Sequence, residues 1–150
     1  CQMYLKLHGL STVTLRYFNV YGPRQPLKGQ YAPVIGLFEE QKKAKTPCTI
    51  VGDGEQRRDF THVSDIVEAN MCAMQTNCDG VFNIGTGKNH SVNDVAKMVN
   101  NPYNTIQIPA RPGEARITLA DNTKAKTLLG WEPKKELHEY FENSSKISRW

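Results

Sequence analysis

The sequence predicts an α/β fold. Short runs rich in β-branched and aromatic residues alternate with segments whose apolar residues recur at helical spacing. Glycine and proline punctuate the changeovers, and no internal repeat or low-complexity stretch breaks the alternation. A chain of 150 residues, 39% apolar and 23% charged, suits one soluble unit with a sizeable core. No apolar run approaches the ~20 residues of a membrane span. The first nine residues lack the apolar centre of a secretory signal.

The elements follow in order. Met3, Leu5 and Leu7 form a short amphipathic stretch closed by Gly9, which stands where a helix C′ glycine belongs. Ser11 to Phe18 reads as a buried strand. The chain thus opens inside a helix that runs into a strand and, beginning at Cys1, is expected to be a fragment. Asn19 to Tyr31 is expected as a loop, broken by Gly22-Pro23 and Pro26. Pro33 suits a first helical turn, with Val34, Leu37, Phe38 and Gln41 at helical spacing as far as Lys45. Cys48 to Val51 is a strand stopped by the turn Gly52-Asp53-Gly54. A further extended piece, Arg58 to His62, leads to Ser64 as the expected N-cap of a helix bearing Ile66, Val67, Asn70 and Met71.

Gly80 to Ile84 is a strand ending in Gly85-Thr86-Gly87. Ser91 and Asp94, three residues apart, form a capping-box start for a helix from Val92 to Val99. Thr105 to Ile108 is a strand ahead of the break Pro109 to Gly113. Asp121 caps a helix that closes at Leu129-Gly130, with Trp131 as the apolar residue beyond. A polar helix is expected from Lys135 to Glu142, and the tail Asn143 to Trp150 is expected to fray.

The charge balance, 19 basic against 15 acidic residues, is mild. Its densest clusters, Lys42-Lys43-Lys45 and Lys124-Lys126-Lys134-Lys135, read as solvated helix faces rather than a nucleic-acid stripe. Cys1, Cys48, Cys72 and Cys78 have neither metal-ligand spacing nor disulfide density, which favours reduced thiols in a cytoplasm-like compartment. Small anions stay open as ligands, since one or two arginines suffice to hold them.

Most catalytic templates are missing. The chain has no Gly-x-Ser-x-Gly, His-Glu-x-x-His, Cys-x-x-Cys or Walker-type motif. Tyr17, Tyr21 and Tyr31 lack a lysine four residues on, so no Tyr-x-x-x-Lys pair is present. Gly85-Thr86-Gly87-Lys88 reads as a strand-to-helix turn ahead of a phosphate nest. His62 reads as a structural, hydrogen-bonded residue, and His8, His90 and His138 as surface residues. Two arginine clusters remain, Arg57-Arg58-Asp59-Phe60 and Arg111-Pro112-Gly113-Glu114. A guanidinium fork matches phosphate oxygens, and loops after strands are where α/β proteins expose binding groups. On spacing alone, ordinary ion pairs take precedence: Arg58 with Asp59 or Asp65, and Arg111 with Glu114.

Four stretches alter that balance. They are Leu15 to Gln25 (Leu-Arg-Tyr-Phe-Asn-Val-Tyr-Gly-Pro-Arg-Gln), Val51 to Asp65, Phe82 to Gly87, and Arg111-Pro112-Gly113-Glu114 with its continuation through Ala120-Asp121, Lys124-Ala125 and Leu129-Gly130-Trp131. In this order they resemble the C-terminal half of the NAD-dependent epimerase/dehydratase family, extended short-chain dehydrogenases acting on nucleotide sugars. The resemblance reaches to about Leu137. The Gly29 to Ile35 loop and the Arg-Pro-Gly-Glu form are most like UDP-sugar 4-epimerases.

The resemblance implies the end of a Rossmann sheet in residues 1–31 and a mostly substrate-binding α/β domain in residues 32–150. It implies that the glycine fingerprint for NAD and the Tyr-x-x-x-Lys pair lie upstream, so that no catalytic residue is expected in this chain and the fragment is expected to be inactive. Tyr17 and Phe18 match the strand end beside the nicotinamide ring, and Asn19 matches the side chain that contacts the substrate diphosphate. Ala32 and Pro33 match the start of the helix lining the nucleotide pocket, and Ile50 and Val51 match residues that pack on uracil. Arg58 and Arg111 match the two arginines that clamp the diphosphate, and Glu114 matches the acid facing the ribose. For the intact parent the resemblance implies C4 epimerisation of a UDP-hexose or UDP-N-acetylhexosamine through a 4-keto sugar, with a homodimer as the working form. The alternatives are a 4,6-dehydratase, decarboxylase or reductase of the same family, or a non-catalytic α/β interaction module.

Overall fold

Parallel strands need long crossovers, and this chain supplies them by pairing segments forty to sixty-odd residues apart. The computed structural model describes residues 2–27 and 32–147. Cys1, the loop stretch 28–31 and the last three residues of the expected tail lie outside the described residues.

Helix α1 (Gln2–His8) ends at Gly9, whose φ of +64° and N–H to Leu5 O make the expected left-handed cap. Strand β1 (Val13–Tyr17) pairs in parallel with β6 (Gly80–Ile84), in register from Val13 opposite Gly80 to Tyr17 opposite Ile84. The expected loop after it contains a short strand, β2 (Val20–Tyr21), parallel to β5 (Thr61–His62). Helix α2 (Val34–Lys43) starts just after Pro33, which occupies the N-cap at φ −60° and ψ 146° rather than the first turn. Strand β3 (Cys48–Val51) pairs in parallel with β8 (Thr105–Ile108), and β4 (Arg57–Arg58) pairs antiparallel with β7 (His90–Ser91).

Helix α3 (Val63–Gln75) begins two residues earlier than an N-cap at Ser64 would allow. The cap is His62, whose Nδ1 accepts the Ser64 N–H at 3.2 Å. Helix α4 (Val92–Val99) has the expected capping box: Ser91 Oγ accepts the Asp94 N–H, and the Asp94 carboxylate accepts the Ser91 N–H. Asp121 accepts the Thr123 N–H as expected, but the helix it opens widens into a π-helical segment at Ala125–Leu129 before Gly130 and the buried Trp131. Helix α5 (Leu137–Ile147) starts two residues later than expected and continues through residues expected to fray. Ahead of it, Asp65 Oδ2 accepts the N–H groups of both Lys134 and Lys135.

Apolar burial divides between two cores. One gathers Tyr21, Phe38, Ile50, Phe60, Val95 and Leu137; the other gathers Ile66, Ala69, Phe82, Ile84, Leu129 and Trp131, with Val13 and Leu15 of β1 packed against it. The chain visits them alternately, so residues far apart in sequence share each core. Among the described residues no helix is long and apolar enough to cross a membrane, and no cluster of metal-ligating side chains occurs.

Candidate functional site

Strand β4 carries Arg58 to the rim of the first core. One guanidinium nitrogen donates to the Arg57 carbonyl at 2.9 Å, and Nη2 reaches Glu114 Oε1 at 3.1 Å, fifty-six residues along the chain. The Arg58 side chain is 14% exposed and Glu114 38%, so the pair sits at the edge of solvent. The pairing differs from the one local spacing favours. Asp59 and Asp65 are both buried and hold main-chain N–H groups instead of Arg58. Glu114 pairs with Arg58 rather than with Arg111, its neighbour three positions back.

The segment that bears Glu114 is fixed against β4 in ladder fashion. The Arg57 N–H donates to Arg116 O at 2.8 Å, and the Thr118 N–H donates to Arg57 O at 3.0 Å. Asp53 holds the Arg116 guanidinium in a two-pronged contact, both bonds at 2.8 Å, and that hydrogen bonding draws the Asp53 carboxyl down to about 2. Arg111 stands earlier on this loop, exposed, and bonds to no other described residue. Its neighbour Ala110 lies beside Gly52 at the end of β3.

Asn19 joins the same rim from the end of β1. Its amide donates to Asp59 O at 3.1 Å and to Thr118 Oγ1 at 3.4 Å, while its carbonyl accepts the Thr61 N–H. Three separate stretches of sequence therefore meet at one place. Of the other expected residues, Val51 is half-buried at the end of β3, whereas Ile50, one step back on the opposite face, is only 4% exposed and belongs to the core. Ala32 and Pro33 are half-buried at the start of α2. Tyr17 is largely exposed with its hydroxyl on Asn70 Oδ1, and Phe18 packs over Gly85.

One side chain that spacing did not single out for the site organises it. Asp59, fully buried, accepts four hydrogen bonds: Thr86 N and Oγ1 on one oxygen, Gly87 N and Ala120 N on the other. The Gly85-Thr86-Gly87 turn is thus an anion nest after all, filled by the chain's own carboxylate. Gly85 allows the close approach: a Cβ there would lie 2.4 Å from the Ala120 Cβ. His62 meets Tyr21 edge-on and Tyr140 at a tilt, and burial lowers its pKa. Burial also pushes the Tyr21 hydroxyl far above its usual range. His90, expected at the surface, is half-buried in β7.

A family model described as GDP-mannose 4,6 dehydratase matches residues 1–144. The chain belongs to the NAD-dependent epimerase/dehydratase family. It is 37% identical over 142 residues to a UDP-glucose 4-epimerase of Mycolicibacterium smegmatis, covering 91% of this chain and 45% of that protein. The crystal structure of the Thermotoga maritima UDP-glucose 4-epimerase with UDP-glucose superposes with a TM-score of 0.90 at 38% identity, over 99% of this chain and 49% of that one. The UDP-glucuronic acid 4-epimerase of Bacillus cereus, in complex with UDP-glucuronic acid and NAD, gives 0.82 at 34% identity, over 95% and 46%. UDP-glucuronic acid decarboxylases match at similar identity. The chain spans about half the length of the family's curated epimerases it matches, and NAD is a cofactor of the family.

Proposed function

We propose that this chain is the nucleotide-sugar-binding part of an NAD-dependent UDP-sugar 4-epimerase. The observation that carries the reading is the long-range contact of Arg58 with Glu114, on a rim shared with Asn19. In this reading Arg58 and Arg111 take the diphosphate by charge-assisted bonds, Asn19 adds a neutral donor, and Glu114 turns to a ribose hydroxyl. Val51, Ala32 and Pro33 form the apolar wall against the base, while Ile50 turns into the core behind them. The core packed on β1 is the end of the cofactor-binding half, and the core beneath Arg58 is the substrate lobe, built mostly from residues 32–150.

NAD supplies the hydride chemistry when bound. Phe18, packed over Gly85 just past β1, offers flat aromatic surface for one wall of a nicotinamide pocket, with Tyr17 beside it turned to Asn70. The chain has no glycine fingerprint for the dinucleotide phosphates. It also has no Tyr-x-x-x-Lys pair, so the chain by itself binds without turning over. The intact enzyme in this reading is a cytoplasmic homodimer that takes no nucleic acid.

Calorimetric titration of UDP into the folded chain tests the reading. Heat and a raised melting temperature are expected with the wild type, and both should vanish in Arg58→Ala and in Arg111→Ala. Absence of UDP binding to the wild-type chain defeats it. The match to decarboxylases keeps a second reading, that the parent decarboxylates a UDP-uronic acid. Product masses from a relative-length enzyme given UDP-glucose and UDP-glucuronic acid separate the two.

A further inference from the structure

We infer that Asp59 is a positioning residue for the diphosphate clamp: its buried carboxylate sets the register in which Glu114 meets Arg58. The inference rests on the reading of Arg58 as a phosphate-binding group. Asp59 is 0% exposed, and none of its four donors is a cation. Main-chain N–H dipoles and one hydroxyl hold its charge, as a nest holds a bound anion.

The donors come from two places whose spacing matters to the site. Thr86 and Gly87 belong to the turn that follows β6, and Ala120 ends the segment that carries Glu114. That segment is tied to the strand of Arg58 at three successive points. The first two are the main-chain bonds of Arg57 with Arg116 and Thr118, and the third is the Asp59 carboxylate on Ala120 N. The Asp59 carbonyl also receives the Asn19 amide, so a shift at this residue moves Asn19 as well as the neighbouring Arg58.

Extended chain advances ~3.3 Å per residue, and ladder bonds repeat every second residue, so one slipped step displaces Glu114 by ~7 Å from Arg58. The Ala120 N–H on the buried, directional Asp59 carboxylate opposes such slippage at the end of the segment, alongside the Arg116–Asp53 contact nearer Glu114. Asp65 provides the matched contrast. It is equally buried and also accepts two main-chain N–H groups, yet those belong to Lys134 and Lys135 ahead of α5, away from Arg58.

The test compares UDP binding to the wild type, Asp59→Asn, Asp65→Asn and Thr86→Val. Calorimetry is run below each melting temperature, at low and at high sodium chloride. An asparagine at 59 loses the charge and sets its NH₂ against either the Gly87 and Ala120 N–H groups or the Thr86 N–H, where the Thr86 hydroxyl alone can turn to accept it. Asp59→Asn is expected to weaken UDP binding about tenfold at low salt and to flatten its salt dependence, because the charge-assisted contacts are lost. Thr86→Val removes one donor and is expected to give a fall of about threefold in the same sense, which keeps the test usable if Asp59→Asn fails to fold. Asp65→Asn is expected to lower the melting temperature while leaving UDP affinity within about twofold.

The inference fails if a folded Asp59→Asn, or Thr86→Val, binds UDP as the wild type does. It also fails if Asp65→Asn weakens UDP as much as Asp59→Asn, or if the salt dependence is unchanged, since either marks a general loss of structure. Wild-type chain that ignores UDP defeats the proposed function itself. Loss of binding in Arg58→Ala without loss in Asp59→Asn defeats only the present inference.

Discussion

Glu114→Gln separates two roles that one carboxylate plays. In the structure Glu114 neutralises Arg58 through a single contact of 3.1 Å, so an arriving phosphate must displace or share it. At these exposures, 14% and 38%, such a pair contributes about 0.5–1 kcal/mol. Glutamine keeps the length and an acceptor but drops the charge. Inorganic pyrophosphate, which has no ribose, should therefore bind Glu114→Gln about two- to fivefold more tightly than the wild type, 1.4 kcal/mol being a factor of ten. UDP should not share that gain, because the ribose hydroxyl then donates to a neutral amide oxygen instead of a carboxylate. Calorimetry with both ligands at low ionic strength reads the two effects, and the pyrophosphate gain should shrink in high salt. Pyrophosphate affinity that is unchanged or reduced in Glu114→Gln refutes the idea that Glu114 holds the place of a phosphate.

Two further outcomes concern the frame around the site. Gly85→Ala drives a Cβ to 2.4 Å from the Ala120 Cβ and 3.0 Å from the Asp59 carboxylate, neither on a flexible arm, and should cost about 1–3 kcal/mol in urea unfolding; an unchanged midpoint contradicts the close approach. His62 titrates below its ordinary value of 6.5 because burial disfavours the charged ring, with Asp65 opposing and Lys135 reinforcing that shift. The unfolded chain therefore takes up the proton first, so stability is full above pH 6.5 and falls as the pH drops through it toward the lowered folded value. His62→Asn keeps an acceptor for the Ser64 N–H, and melting curves between neutral and mildly acidic pH should show a shallower loss in that variant. Equal slopes count against the assignment.

Features set by neighbours in sequence were readable before the structure. The capping box of Ser91 and Asp94, the cap at Gly9 and the strands β1, β3, β6 and β8 stand where local pattern put them. What escaped depends on partners far along the chain. β2 is two residues long and is a strand only because β5 lies beside it. His62 displaces Ser64 as a cap because its ring, packed against Tyr21, already points back at the helix. Arg58 sits next to Asp59 in sequence, which suggests an ion pair. Strand alternation sends the two side chains apart, Asp59 inward to Thr86, Gly87 and Ala120, and Arg58 outward to Glu114. The family resemblance pointed to Arg58 and Glu114 as members of one site, and the structure puts them in contact. It gave no hint of Asp59, whose role is visible only once the turn after β6 is seen wrapped around it.

The alternation of the chain between its two cores bears on how it comes apart. β1 and α3 pack in one core with Tyr21 and α2 threaded between them into the other, and Trp131 and α5 repeat the exchange near the end. A protease cut at the exposed stretch Pro109 to Gly113 leaves each product owning pieces of both interiors. The severed parts should remain associated until a denaturant melts them together, and the intact polypeptide should lose both interiors in a single cooperative step.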